Sequence, residues 1–314
     1  MRTKTAAALG LGLAGIGAVL TAAAAGVPGV PGKVIFETTS PYHHIQVVDD
    51  AQGLRTLTFD GSWESQMYVT NPLSGHFEYT ELFQLTWLWN SRMSNVLVMG
   101  LGGASTQRSY EHYYPDLSIE TAELDPAVLR VAKDYFHFKE SPQQQVHLED
   151  GRIFLRRSLA KYDAILMDAY TTGPYGSAIP PHLVTKEFFE IAASHLRTNG
   201  VLAYNVIGTL RGYRADLLGA LYKTLNSVFP EVYVFPARTS QNVVLIATRS
   251  SEKADYRALQ QRANALIRDG RVTLPTFRTR LSVFRSGPPP TVASAPLLTD
   301  DYAPVESLMN SGGQ

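Results

Sequence analysis

Residues 94–125 read SNVLVMGLGGASTQRSYEHYYPDLSIETAELD, and the fold follows from this stretch. Asn95-Val96-Leu97-Val98-Met99 is a short apolar run with the β-branched bias of a buried strand. It runs directly into Gly100-Leu101-Gly102-Gly103-Ala104, where glycine lets the backbone approach a ligand closely. A helix is expected from Ser105 to about His112, then a second strand from Ser118 to Ala122, ending in Glu123-Leu124-Asp125-Pro126. Strand, glycine turn, helix, strand, acid is the plan of a nucleotide-binding βαβ unit. Glu123 lies about twenty residues beyond the glycines, where an acid suits a ribose diol. The turn reads G-x-G-G-A rather than G-x-G-x-x-G, which disfavours a dinucleotide. A further acid, Asp150, stands before Gly151 where a third strand should end. Acids at successive strand ends suit an S-adenosyl ligand, with one on the ribose and one near the adenine.

Upstream, residues 77–90 (FEYTELFQLTWLWN) read as a helix with an apolar face formed by Phe77, Leu82, Phe83, Leu85 and Leu88. Before it, residues 33–37, 44–48 and 54–59 are strand-like, and Asp49-Asp50-Ala51-Gln52-Gly53 and Asp60-Gly61 supply turns. A small antiparallel sheet therefore precedes the nucleotide domain. At the N-terminus Arg2 and Lys4 introduce an uncharged run rich in Ala, Leu and Gly over residues 6–25, and a Pro/Gly linker follows. At roughly 20 residues this run is a secretory signal or a single membrane anchor. The leading charges favour a cytoplasmic N-terminus, which would put the domain outside, whereas an S-adenosyl donor is found inside the cell.

Downstream, helices are expected at residues 126–135, from Ile153, and at 185–196, 213–228 and 254–268. Strands are expected at 162–168, 201–206, 231–235 and 242–248, with an open loop over 169–181 and a turn at 197–200. The last two strands follow one another with no room for a helix. The expected architecture is α/β: a class I methyltransferase-like (Rossmann-like) doubly wound sheet with an antiparallel last strand, preceded by a small antiparallel β-domain. The organisation is leader or anchor plus linker (1–32), β-domain (33–76), S-adenosyl-ligand domain (77–250), and C-terminal helix and tail (251–314).

Composition narrows the chemistry. The chain has 314 residues, 45% of them hydrophobic, enough for one large domain and a smaller one. Lys+Arg and Asp+Glu are both 28, so no charge excess points to nucleic acid. With no cysteine, disulfides, thiolate metal sites and cysteine nucleophiles are excluded. No His–Asp spacing suits a metal.

Taken in order, these motifs resemble the spermidine synthase (polyamine aminopropyltransferase) family, over residues 42–248 or so. The family's Tyr-Gln-x-Ile reads Tyr42-His43-His44-Ile45, its Leu-Asp-Gly turn reads Phe59-Asp60-Gly61 with Gln66 following, and its Tyr-x-Glu reads Tyr79-Thr80-Glu81. The glycine loop, Glu123-Leu124-Asp125-Pro126, Asp150-Gly151-Arg152 and the strand ending in Asp168 match in order. Asp168-Ala169-Tyr170, Ile179-Pro180-Pro181-His182-Leu183 and Leu298-Thr299-Asp300-Asp301-Tyr302 look like the membrane-fused branch of the family. The resemblance implies a donor, decarboxylated S-adenosylmethionine or S-adenosylmethionine, held by Gly100, Gly102, Gly103, Glu123, Asp150, Gly151 and His43. It implies an amine such as putrescine contacted by Tyr79, Glu81 and Tyr170, no metal, and a homodimer.

Departures from the family pattern bear on function. The family loop after the Asp168 strand reads Asp-x-x-Asp-Pro, and its second acid is credited with taking the amine's proton; here Thr171 or Thr172 stands there. The amine-binding Asp of the family's glycine loop is replaced by Gly103. Asp168, at the end of a central strand, is the expected catalytic acid, with Glu81, His43, Asp300 and Asp301 as further candidates. Three functions fit: an aminopropyltransferase with a rearranged amine site, an S-adenosylmethionine-dependent methyltransferase, and a non-catalytic membrane-tethered nucleoside-binding protein.

Overall fold

The computed structural model describes residues 30–173 and 176–310. The hydrophobic run at 6–25 lies outside the described residues, and among these no helix is long and apolar enough to cross a membrane.

Strands β1 (Lys33–Thr39), β2 (His44–Asp49), β3 (Leu54–Phe59) and β4 (Ser62–Tyr68) form an antiparallel meander. The first three match the expected strands. The fourth, SWESQMY, carries too few apolar residues to stand out. Its position follows from the turn before it. Asp60 and Gly61 have φ of 50° and 84°, and Phe59 pairs with Ser62. Two positive-φ residues between paired strands match the twist of a tight hairpin.

The expected helix over 77–90 forms as one α-turn, α1 (Tyr79–Leu82), that tightens into a 3₁₀ helix over Phe83–Leu88. Every residue of both pieces is buried, so no face is left to water. Thr86 Oγ1 donates to the Phe83 carbonyl three residues back, at 2.8 Å, which favours the tighter winding.

The large sheet is built from β5 (Asn95–Met99), β6 (Ser118–Glu123), β7 (Gln144–Leu148) and β8 (Tyr162–Met167). A hairpin of β9 (Thr171–Gly173) and β10 (Gly176–Ala178) stands apart from it, in the segment expected to be an open loop. The chain then adds β11 (Leu196–Ile207), β12 (Glu231–Pro236) and β13 (Asn242–Thr248) to the large sheet. The sheet order is β12-β13-β11-β8-β5-β6-β7. β13 runs antiparallel to both its neighbours, and the pairs from β11 to β7 are parallel. This is the methyltransferase-like sheet with its antiparallel last strand. The turn expected at 197–200 is absorbed into β11 as an irregularity: pairing with β8 jumps from Leu196–Tyr162 to Val201–Ala164.

Helices α2 (Ser105–Tyr113), α3 (Pro126–Tyr135), α4 (Gly151–Arg157), α5 (Lys186–His195), α6 (Ala215–Asn226) and α7 (Tyr256–Arg268) fall near the expected spans. Two short helices, α8 (Phe277–Leu281) and α9 (Val305–Asn310), are additions in the tail. Alternation along β5 sends Leu97 and Met99 into a core with Phe188, Leu202 and Leu218. It sends Val96 and Val98 into another with Leu82, Phe83 and Phe277. A third core joins Ile45, Val47 and Leu57 of the meander to Val128 and Val131 of α3 and to Leu101. The N-terminal sheet is therefore docked on the glycine loop.

The chain leaves β5 toward β6 and β7, then crosses to β8 and β11. Between β5 and β8 the winding reverses, and a crevice opens at the carboxyl ends of the strands.

Candidate active site

At that reversal lies a cavity of about 270 Å³, with the β5 and β8 ends as its floor and the meander as its lid. The two strand ends are in close contact. Gly100 has φ +97°, and a Cβ on it would sit 2.3 Å from the Asp168 carbonyl oxygen, so only glycine fits. Gly102, at φ +50°, approaches Ser65 of β4, where an added Cβ would lie 2.9 Å from Oγ. Gly151, at the start of α4, packs on Met99. These three glycines line the cavity. Gly103 does not. Its N–H donates to Ser65 Oγ at 2.8 Å, which ties the loop to the meander.

Glu123 ends β6 with its carboxylate turned back over the glycine loop. Oε2 accepts from Leu101 N–H (2.9 Å) and Oε1 from Asp125 N–H (2.8 Å). Burial pushes this carboxyl up to about 7. Each oxygen keeps a lone pair for a hydroxyl donor, which fits a ribose diol. Asp150 caps α4: Oδ1 accepts from the Arg152 and Ile153 N–H groups, and His182 Nε2 lies 2.8 Å from Oδ2. The His182 bond holds the Asp150 carboxyl below its usual range. Leu124 and Leu183 add apolar wall on this side. A glycine cradle, a diol-facing acid and an apolar slot together suit an adenosine moiety.

The other end of the cavity is acidic. Asp168 follows β8; Oδ2 accepts from Tyr79 OH at 3.1 Å and Oδ1 from Asn205 Nδ2 at 2.9 Å. Burial raises its carboxyl to about 6, against the pull of the Asn205 and Tyr79 hydrogen bonds. Tyr170 lines the same end, with its hydroxyl engaged by β11: it donates to the Asn205 carbonyl (2.7 Å) and accepts from Ile207 N–H (3.1 Å). Glu64 of β4 also lines it, with Oε1 accepting from Ser177 Oγ at 2.6 Å. Burial pushes Glu64 up to about 7. Its strand, SWESQMY, carries no motif that marks this residue in the sequence. Among the described residues no lysine or arginine lines the cavity.

His43 reaches the cavity from the β1–β2 turn, stacked on Phe59 with ring centroids 4.3 Å apart. Burial lowers its pKa despite Asp125 and Asp60 nearby.

Three candidate acids are not brought to the cavity. Glu81, expected at the amine, faces the tail: it binds His76 (3.0 Å), Thr276 Oγ1 (2.6 Å) and Arg280 Nε (2.5 Å). The helix winding that points Tyr79 at Asp168 turns Glu81 toward α8. Asp300 forms a two-bond pair with Arg152 (2.7 and 2.6 Å) and accepts from Thr185 Oγ1 (2.7 Å). It fastens the tail beside the rim. Asp301 is exposed and outside the cavity lining.

A family model, the spermine/spermidine synthase domain, matches residues 77–259, more than half of the chain. A polyamine aminopropyltransferase of Vibrio vulnificus is 32% identical over 241 residues, covering 74% of this chain and 77% of that protein. An eEF1A lysine and N-terminal methyltransferase of Xenopus laevis is 33% identical over 167 residues, 51% of this chain but only 23% of that protein. Among solved structures, a spermidine synthase in complex with the transition state analogue AdoDATO superposes with a TM-score of 0.63 at 17% identity. It covers 81% of this chain and 84% of that one.

Proposed function

The chain belongs to the spermine/spermidine synthase family, and from that premise we propose that it moves an aminopropyl group from decarboxylated S-adenosylmethionine to an amine. The observation that carries this reading is the charge of the cavity. Its far end presents Asp168 and Glu64 with no lysine or arginine among the described lining residues. Aminopropyl transfer brings two cations there, a sulfonium and an alkylammonium, and cations favour desolvated carboxylates. A methyltransferase would need to hold the α-carboxylate of S-adenosylmethionine at the same end, against two acids and with no cationic partner. The Vibrio relative, a polyamine aminopropyltransferase, supports the aminopropyl reading over a longer match than the methyltransferase's.

In this reading Glu123 orients the ribose, and the glycine loop lets the nucleoside lie on the strand ends. Asp168 is the anion facing the reacting centre. Its two neutral partners, Tyr79 and Asn205, fix its orientation without cancelling its charge. The attacking amine displaces a neutral thioether, which needs no proton to leave. Positioning of nitrogen, carbon and sulfur in line supplies much of the acceleration.

The test uses the full-length chain with decarboxylated S-adenosylmethionine and a panel of diamines, read as methylthioadenosine release. Release that depends on the amine is the expected result. Turnover of S-adenosylmethionine with methyl transfer, and none of the decarboxylated donor, would overturn the proposal.

A further inference from the structure

The expected loop acid is missing, and in its place the loop holds Thr171 and Thr172. An amine that arrives as an ammonium, with a pKa of about 10 by analogy with lysine, must still lose a proton before it can attack. Asp168 is the weaker candidate to take it, because the bonds it accepts from Tyr79 and Asn205 favour its charged form. A second carboxylate faces the same space.

Glu64 owes its position to an irregularity in the meander. The β3–β4 ladder pairs Leu57 with Ser65 and Thr58 with Trp63, leaving Glu64 unpaired between them. A bulge of this kind redirects a side chain next to a site. In a regular strand neighbouring residues point to opposite faces; here Glu64 and Ser65 both line the cavity. Ser65 is the residue that holds the glycine loop through Gly103 N–H. The bulge therefore carries Glu64 on the anchor between the two sheets, at the same end of the cavity as Asp168. Among the described residues its one hydrogen-bond donor is Ser177, on Oε1.

We propose that Glu64 is the proton acceptor for the attacking amine, a role moved from the loop after β8 to the bulge in β4. This rests on aminopropyl transfer being the reaction. One ammonium proton passes to a Glu64 oxygen. The freed nitrogen lone pair forms the new N–C bond while the C–S bond breaks, and its electron pair returns to sulfur. The product keeps its charge as a secondary ammonium, and Glu64 returns its proton to solvent. Around Glu64 stand Asp168 at the end of β8, Asp60 in the β3–β4 turn, Tyr79 of α1 and Tyr170 after β8. His43 lines the same cavity, and the Arg214 guanidinium bonds the Ser177 carbonyl at 2.8 Å. Burial first, then the neighbouring acids, hold the Glu64 carboxyl at about 7 although Ser177 pulls it down. A base of that strength suits neutral pH.

The experiment compares the full-length wild type with Glu64→Gln and Glu64→Asp, with decarboxylated S-adenosylmethionine and a diamine, from about pH 6 to pH 10. Calorimetric binding of methylthioadenosine reports whether the cavity is intact. Glu64→Gln should keep methylthioadenosine affinity and lose about 10²- to 10⁴-fold in kcat at pH 7. The deficit should shrink by up to tenfold per pH unit as free amine becomes available, and Glu64→Asp should recover part of the rate. An unchanged kcat and pH profile in Glu64→Gln would overturn the assignment alone. So would a rise in KM for the amine at constant kcat, which would make Glu64 an ammonium-binding group. A wild type that binds methylthioadenosine but turns over no amine would overturn the aminopropyl reading and the assignment with it.

Discussion

Replacing Asp168 with asparagine separates charge from shape at the centre of the site. The amide can accept from Asn205 Nδ2 through its oxygen and donate to the Tyr79 oxygen through its nitrogen, so both contacts of the carboxylate survive in form. What is lost is one negative charge facing a cationic reacting centre. At about 4 Å and an effective dielectric of about 20 that interaction is worth about 4 kcal/mol. The amide dipole retains part of it, so a loss of about 2–4 kcal/mol, roughly 30- to 1000-fold in kcat/KM, is expected. Stability of the ligand-free protein should move the other way. Burial raises the Asp168 carboxyl from 3.8 to about 6. Between those values the native state binds more protons than the unfolded one, so stability falls as pH rises through that window. At about 1.4 kcal/mol per pH unit the wild type carries a penalty of at most about 3 kcal/mol at pH 7, which the amide removes. The assay pairs kcat/KM for methylthioadenosine release with urea unfolding at pH 4.5 and pH 7. A variant that keeps its kcat/KM, or that unfolds more easily than the wild type at pH 7, would refute the reasoning.

Glu123→Gln places an NH₂ against one of the two backbone N–H groups that the carboxylate now accepts, from Leu101 and Asp125. With two charge-assisted bonds disturbed, methylthioadenosine affinity should fall about 10- to 100-fold by calorimetry. Glu81→Ala leaves Arg280 beside Glu78 alone on a half-buried face. Because Arg280 keeps Glu78, the variant should destabilise the fold by about 1.5–3 kcal/mol in chemical unfolding while leaving KM for the amine unchanged. Arg152→Ala frees Asp300, an exposed partner, so the cost should stay near 1 kcal/mol or below. Limited proteolysis around residues 297–302 should nevertheless quicken. The bond from Arg152 holds the Asp300 carboxyl near about 2, so the wild-type tail should stay protected at pH 4 and lose protection only as pH falls through that value.

The architecture was legible because its signals are local. Val96, Leu97 and Val98 before Gly100 could be placed as a buried strand from composition alone, and Glu123 fell where the next strand had to end. The hydrogen bonds that set orientation were not legible. Glu81 follows Tyr79 by two residues in an expected amphipathic helix, and only the tight winding of 79–88, buried on every side, shows that the two side chains part company. The tail partners of Glu81, Thr276 and Arg280, are far away in sequence, and no spacing rule reaches them. Asp300 is a similar case: its partner Arg152 lies in α4. The glycine motif groups Gly103 with its cavity-lining neighbours. The contact of Gly103 with Ser65 depends on how the meander docks, which the glycine motif does not encode.

Glu64 shows why a missing motif residue is weak evidence for a missing function. An acid at the loop position after β8 would be carried by a segment that here folds into the β9–β10 hairpin. That hairpin instead gives Thr172 toward His43 (3.4 Å) and Ser177 to Glu64. Both contacts reach across to the meander, so the hairpin and the meander close the same end of the cavity together. The chemistry requires a carboxylate within reach of the amine, desolvated enough to hold a proton near neutral pH. It places no demand on which element delivers that carboxylate. A single extra residue in β4 is sufficient, provided the meander is fixed to the glycine loop, and the Ser65–Gly103 bond and the packing of Leu57 and Leu101 in one core fix it. The N-terminal sheet is then part of the reacting site and not only its cover. Its sequence, SWESQMY, gives no sign of this, because a bulge is a property of the pairing between strands and not of the strand itself.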